Sequence, residues 1–134
     1  MESNFTELIN SAIKIMDTAY VPYSNFKVGV AILDENGHIH SGSNVENAAY
    51  PIGNCAEASA ISVMIASGGK KIQAIAVVGE GKLLCTPCGG CRQRIREFAS
   101  LKTPVLIGNR NGLRETFLLQ ELLPVSFGPE NLSN

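Results

Sequence analysis

The sequence predicts an α/β fold, a three-layer α/β/α sandwich with a mixed central sheet. Two observations carry this prediction. Strand–loop–helix units follow one another along the chain, which places helices against the faces of a sheet. Two Asn-Gly pairs stand between short apolar segments, which is the signal of a β-hairpin. A length of 134 residues suits one domain, spanning 1–134.

The first third of the chain predicts a helix and a hairpin. Residues 5–19 carry apolar side chains at helical spacing, and Asn4 can cap that helix. From Phe26 to Leu33 the side chains alternate as in a strand with at least one core face. The Asn36-Gly37 turn returns the chain through a second strand over 39–43.

The remainder alternates between helices and strands. Two helices are predicted, at 55–67 and 88–98, with a short helical turn at 121–123. Three strands are predicted, at 72–78, 104–108 and 113–118. The helix at 55–67 is apolar nearly all round, which indicates burial. The run at 72–78 is short and mostly apolar, which suits an interior parallel strand.

Charge and hydropathy exclude several classes of partner. The net charge is −1 and no run of Lys or Arg exceeds two residues, which argues against a nucleic-acid partner. No apolar run approaches membrane-spanning length, and residues 1–4 lack the pattern of a signal peptide. We therefore expect a soluble, cytoplasmic protein. Only 17% of the residues are charged, which hints at apolar surface buried between subunits.

Three cysteines and one glutamate carry the strongest chemical signal. Cys88 and Cys91 are three residues apart, so one helical turn can direct both sulfurs to one point, as in a metal site. Cys55 can supply a third thiolate, and three ligands on a tetrahedral Zn²⁺ leave the open position that catalysis needs. Glu57 is then the natural carboxylate to handle a proton of the attacking water. Both cysteine motifs begin predicted helices, whose positive N-terminal potential stabilises anions.

Two other interpretations use the same cysteines. Cys85 and Cys88 repeat the spacing, so Cys85 is the candidate fourth ligand of a closed, structural zinc site. Alternatively, two of these thiols form a redox pair. Pro87 before Cys88, and Glu57 near Cys55, favour the open catalytic site, which leaves Cys85 as a small apolar loop residue. The histidines at 38 and 40 are interpreted as surface residues of the hairpin.

The same motifs resemble those of the zinc-dependent cytidine deaminases, in particular the small-chain type. Cys55-Ala56-Glu57 and Pro87-Cys88-Gly89-Gly90-Cys91 match the metal motif. Three further segments are similar to family segments: 23–29 to the base-stacking strand, 44–50 to the ribose-binding segment and 121–127 to the C-terminal segment. The resemblance covers nearly the full length.

The resemblance implies roles for individual residues. Glu57 is expected to be the proton shuttle in the hydrolytic deamination of a cytosine nucleoside, with one Zn²⁺ per chain. The expected substrate-binding residues are Asn44 and Glu46 for the ribose, Phe26 for stacking on the base, Ala56, and Phe127, which reaches the site of a neighbouring subunit. The family is homotetrameric, so a homotetramer is expected, with the activity serving pyrimidine salvage.

One departure from the family concerns charge. In many small-chain members an arginine that offsets thiolate charge follows the glutamate, whereas this chain has Ala58. Two rival functions remain at this point: deamination of a modified nucleoside such as blasticidin S, and a non-catalytic zinc-binding interaction domain. The sequence leaves open the choice between ribose and 2′-deoxyribose.

Overall fold

The computed structural model describes residues 2–133, so Met1 and Asn134 of the predicted domain 1–134 lie outside it. Its strands are β1 (Val28–Asp34), β2 (Ile39–Ser43), β3 (Ile72–Gly79), β4 (Pro104–Asn109) and β5 (Gly112–Leu118). Its helices are α1 (Glu2–Met16), α2 (Ala56–Ala66), α3 (Gly89–Phe98) and α4 (Leu119–Leu122), with 3₁₀ turns at Tyr50–Ile52 and Pro129–Asn131. Within this range, no helix has the length and apolarity to cross a membrane.

The five strands form one mixed sheet in the order β2-β1-β3-β4-β5. β3 and β4 are parallel, because α3 connects them, and the other neighbouring pairs are antiparallel. Both predicted hairpin turns are present. Gly37 and Gly112 have φ values of +82° and +118°, a region in which only glycine avoids a steric penalty.

Alternation along the strands builds two cores, one on each face of the sheet. On β1, Val30 and Ile32 point into the cluster that contains α2 and α3, whereas Ala31 and Leu33 point into the cluster that contains α1. α1 crosses β1 so closely that a Cβ at Gly29 would collide with the carbonyl oxygen of Ala12. The predicted three-layer α/β/α sandwich is therefore confirmed.

Three local predictions were wrong. α1 begins at Glu2, so Asn4 lies inside the helix and does not cap it. β1 begins at Val28, so Phe26 precedes the strand. The Asn44 side chain takes the place of a strand partner there, since it bonds the N–H of Val28 and the carbonyl of Phe26. His40 is 8% exposed, since its imidazole forms a 2.7 Å hydrogen bond with the carboxylate of Asp34. His38 is exposed, as predicted.

Candidate active site

Two helix N-termini carry the cysteine motifs. Cys55 is the N-cap residue of α2 and Cys88 that of α3, and neither side chain is used in capping. Each begins its helix through its carbonyl oxygen, which accepts from the N–H of Ser59 at 3.0 Å and of Arg92 at 2.9 Å. The thiols of both N-cap residues therefore remain available to a ligand, beside N–H groups with positive potential.

Cys91 brings the thiols and Glu57 together. It lies one turn inside α3, is 1% exposed, and lies near the thiol of Cys55 and the carboxyl of Glu57. Burial raises the pKa of Cys91, and the nearby charges of Glu57, Cys55 and Cys88 raise it further. The structure thus gathers four groups that repel one another as anions.

Glu57 is 5% exposed, although it stands in the first turn of α2. Burial raises the pKa of its carboxyl. The hydrogen bond from its own backbone N–H, the contact with Cys91 and the positive charge of Arg94 offset part of that rise. A buried carboxyl with a raised pKa holds a proton more readily than an exposed one, which suits a general acid or base.

This donor set suits Zn²⁺ in its chemistry. Thiolate sulfur is a preferred ligand of Zn²⁺, and a cation relieves the repulsion among clustered anions. Within residues 2–133, no three or more Cys, His, Asp or Glu side chains form a group that could hold a metal ion as they stand. Of the four groups, Cys91 is the one that lies near all the others.

Cys85 has a different environment from the other cysteines. It packs against the core cluster on the α2 side, and its Sγ would lie 2.5 Å from a Cβ placed on Gly79. Burial, assisted by the charge of Glu57, raises its pKa to about 11, so the thiol is neutral at physiological pH. This environment agrees with the predicted role of an apolar loop residue.

The two predicted ribose contacts lie together beyond the end of β2. Asn44 spans the chain before β1: its Oδ1 accepts from the N–H of Val28 at 2.9 Å and its Nδ2 donates to the carbonyl of Phe26 at 3.0 Å. Glu46 accepts from the N–H groups of Tyr23 and Ser24 at 3.0 and 3.1 Å through Oε1. Hydrogen bonding by Ser24 holds the pKa of Glu46 below its usual range.

Glu46 also borders a surface cavity of about 350 Å³. Its other lining residues are Tyr23, Ser24, Asn47, Tyr50 and Gly53. The rings of Tyr23 and Tyr50 meet edge to face, with centroids 5.9 Å apart. The backbone N–H groups of Tyr23 and Ser24 therefore hold the carboxylate of a residue that lines this cavity.

The remaining predicted substrate residues are spread over three places. Phe26 is 39% exposed, and its ring lies beside Gly79 and Gly81. Ala56 is 1% exposed at the start of α2. Phe127 is 57% exposed and belongs to a separate hollow beside α3, where its carbonyl accepts from Gln93 at 2.8 Å. Phe127 therefore faces outward, away from the cavity beside Glu46.

Two arginines of α3 were not among the predicted site residues. Arg92 donates to the carbonyls of Pro87 and Leu122, each at 2.7 Å, and so fixes the loop that precedes Cys88. Arg94 is exposed, and its charge reaches Glu57. The signal for Arg94 was present in the sequence: it stands three residues after Cys91, the spacing of neighbours on one helix face.

The fold is an α/β sandwich, and thiols cluster at two helix N-termini beside a buried carboxyl. These features are typical of an enzyme that uses a thiolate-bound metal. Residues 2–107 match the family model described as the cytidine and deoxycytidylate deaminase zinc-binding region. A cytidine deaminase from Sporosarcina psychrophila is 42% identical over 127 residues, which cover 95% of this chain and 93% of that protein. The chain belongs to the cytidine and deoxycytidylate deaminase family, and the predicted family and Zn²⁺ cofactor are confirmed.

Solved structures agree with this assignment. A cytidine deaminase from Burkholderia pseudomallei superposes with a TM-score of 0.83 at 40% identity, covering 90% of this chain and 97% of that one. A cytidine deaminase from Mycobacterium tuberculosis gives a TM-score of 0.77 at 36% identity, covering 91% and 95%. These similarities favour the main functional prediction over a blasticidin S deaminase or a non-catalytic zinc domain.

Proposed function

We propose that the chain, acting as one domain over 1–134, deaminates cytidine or 2′-deoxycytidine by hydrolysis, giving the uracil nucleoside and ammonia. One observation carries the proposal: the carboxyl of Glu57 and the thiol of Cys91 are both buried and close together, and the thiols of Cys55 and Cys88 lie near Cys91. Proton transfer and metal binding are thereby placed next to each other. Zn²⁺, one per chain, is held by Cys55, Cys88 and Cys91.

Glu57 moves the protons of this reaction. Zn²⁺ supplies Lewis acidity, which makes water a nucleophile at neutral pH. Glu57 accepts a proton from the attacking water and delivers it to the ring N3, which makes C4 electrophilic. Glu57 then transfers the second proton of that water to the amino group. Ammonia leaves C4, and the oxygen of the water remains on C4. Burial supports both transfers, because it raises the pKa of the carboxyl towards neutrality.

Nucleoside binding is assigned to the predicted residues. Asn44 and Glu46 hold a ribose hydroxyl, since the amide offers a donor and the carboxylate an acceptor. The backbone contacts of both side chains support this role, because they fix these groups before the substrate arrives. Phe26 stacks on the base, and Ala56 borders the base at the start of α2. Phe127 completes the site of a neighbouring subunit.

The same proposal includes a homotetramer in the cytoplasm that serves pyrimidine salvage. Large apolar side chains are exposed on the subunit, which supports burial of this surface between copies. In the 3₁₀ turns and the C-terminal segment these side chains are Tyr50 at 75%, Ile52 at 69%, Val125 at 106%, Phe127 at 57% and Leu132 at 77%. Light scattering should report four chains per particle, and an active monomer would contradict the assembly.

A substrate panel tests the reaction. Ultraviolet absorbance should show loss of cytidine, 2′-deoxycytidine or both, with no loss of cytosine, cytidine monophosphate or adenosine. The nucleosides share the ribose hydroxyl that Asn44 and Glu46 are proposed to bind, whereas free cytosine lacks it. Turnover of adenosine with none of either cytosine nucleoside would overturn the proposed substrate class.

Elemental analysis tests the ligand set. The parent protein should contain one zinc per chain. Replacing Cys55, Cys88 or Cys91 with Ala should remove the metal and destabilise the fold, because metal binding and folding are coupled. If a variant of one of these three retains zinc at the parent stoichiometry, that residue is not a ligand.

A further inference from the structure

A surface hollow lies between α2 and α3. Asn54 and Ala58 line one side of it, and Gly90, Gln93, Arg94 and Glu97 line the other. We call it the α2–α3 hollow. Ala58 stands three residues after Cys55, and Arg94 stands three residues after Cys91. Side chains at this spacing are neighbours along a helix surface. Asn54 and Gly90 directly precede Cys55 and Cys91, so the hollow is bordered by residues next to both cysteine motifs.

The proposed zinc site needs positive charge from its surroundings. Three thiolates around a divalent cation leave a net negative charge, which is costly beside a buried carboxylate. The N-termini of α2 and α3 supply only partial charges, equivalent to roughly half a charge each. A methyl group at Ala58 adds none. With the Glu57 carboxylate the site sums to −2, and the two helix N-termini offset about one of these charges, so a further positive charge beside the site stabilises it.

Three arginines of α3 are available in principle, and two have other partners. The guanidinium of Arg92 is bonded to the carbonyls of Pro87 and Leu122. The guanidinium of Arg96 is buried and bonded to Ser126 at 2.9 Å and to Glu130 at 2.7 Å. These two arginines fix neighbouring segments of the chain and cannot turn towards the hollow without losing those bonds.

Arg94 is the remaining arginine. Within residues 2–133 its side chain has neither a hydrogen bond nor an ion pair, and it is exposed at the edge of the hollow. Glu97, the nearest carboxylate along the helix, borders the same hollow without forming an ion pair with it inside the described range. The charge of Arg94 also reaches Glu57. Its guanidinium is therefore free to interact electrostatically with the thiolates across the space beside Ala58.

We infer that Arg94 is the cation that compensates the thiolate charge of the zinc site, acting from α3 across the α2–α3 hollow. The inference rests on the proposed ligand set. Arg94 has no part in moving protons; it stabilises the deprotonated thiols that hold the metal. The short side chain of Ala58 then leaves the space across which the charge of Arg94 acts.

Zinc affinity in competition with a chelator tests the inference. Arg94→Gln should bind Zn²⁺ roughly three- to tenfold more weakly than the parent, the effect expected of one partly screened charge. The loss should shrink as salt concentration rises, since the side chain is exposed. Arg94→Lys should retain most of the affinity, because the charge is kept. Lys71→Gln, which removes a positive charge just before β3, is the matched control and should leave affinity unchanged.

A double variant makes the test specific to charge at this place. Adding Ala58→Arg to Arg94→Gln should restore the zinc affinity, because the new guanidinium enters the same hollow from α2. Equal affinities for Arg94→Gln, Lys71→Gln and the parent would overturn the inference while leaving the ligand set intact. A parent protein without zinc would instead refute the ligand set. Loss of affinity in Arg94→Lys equal to that in Arg94→Gln would also overturn the inference, because charge would not be the cause.

Discussion

Glu57 and Asp34 are both buried carboxylates, at 5% and 1% exposure, yet their surroundings differ. Asp34 ends β1 and accepts hydrogen bonds from the N–H groups of Asn36 at 2.8 Å and His38 at 3.0 Å. It also pairs with the Nε2 of His40 at 2.7 Å. Glu57 instead lies among thiols, which are weak donors.

The two carboxyls respond to burial in opposite directions. Burial acts to raise the pKa of Asp34, but hydrogen bonds from His40, His38 and Asn36 outweigh it, so the pKa lies below its usual value. At Glu57 burial prevails and the pKa is raised. Burial alone does not mark a functional carboxylate. The number and strength of its donors decide whether it is fixed as an anion or can exchange protons.

The largest expected effect is a difference in turnover between variants of Glu57 and Asp34. Glu57→Gln should keep zinc and the fold but lose nearly all turnover, because the amide cannot carry protons, a role worth about 10²–10⁴-fold or more. Asp34→Asn, the same change of acid to amide, should leave turnover per folded molecule close to that of the parent. Steady-state rates and zinc content of both variants check this. A Glu57→Gln variant within a few-fold of the parent would remove Glu57 from the mechanism.

Stability should show the reverse order. Asp34→Asn should lower the free energy of unfolding by about 1–3 kcal/mol, because a buried anion with three donors is replaced by an amide that presents its own N–H groups. Glu57→Gln should cost less or even stabilise the fold, since a neutral amide removes a poorly compensated buried charge. Denaturant titrations at equal protein concentration compare the two. If Asp34→Asn were the more stable variant, the contrast between the carboxylates would be wrong.

Acid should remove the advantage that Asp34 gives. Its pKa is lowered in the folded protein, so the anion contributes its full stabilisation above the unfolded value of about 3.9. That contribution is lost as the pH falls through the folded pKa. The difference in unfolding free energy between the parent and Asp34→Asn should thus shrink below about pH 4. The two proteins share every other titratable group, so the difference between their unfolding free energies cancels the effect of those groups. A difference that grows on acidification would contradict the lowered pKa.

The sequence predicted the fold well because its signals are local. Alternation in Val30 to Leu33 assigns successive side chains to opposite cores, and Gly37 and Gly112 determine the hairpins. The error at His40 has a tertiary cause. Its partner Asp34 lies on the neighbouring strand, and nothing in the hairpin sequence shows that the two side chains are buried together.

The candidate site was only partly predictable for a similar reason. Helix starts at Cys55 and Cys88 follow from local sequence, and the structure has both as N-caps. The approach of Glu57 to Cys91 depends on how α2 packs against α3, which periodicity does not give. The inferred role of Arg94 in compensating thiolate charge depends on that same packing, which brings Ala58 and Arg94 to one hollow.

The smallest expected effect concerns Cys85, a half-buried thiol that extends the comparison of acidic groups. Burial and the charge of Glu57 raise its pKa to about 11, so it is a neutral thiol at pH 7 even though it lies near the site. It is also packed against the core, where a Cβ on Gly79 would collide with its sulfur. Cys85→Ala should therefore keep the zinc content and turnover of the parent and lower the free energy of unfolding by only about 1 kcal/mol, the cost of one small buried group. Cys88→Ala, three residues away, is the control and should lose the metal. If Cys85→Ala also lost zinc, Cys85 would be a ligand and the site would be closed, which would leave Glu57 without an open metal position to serve.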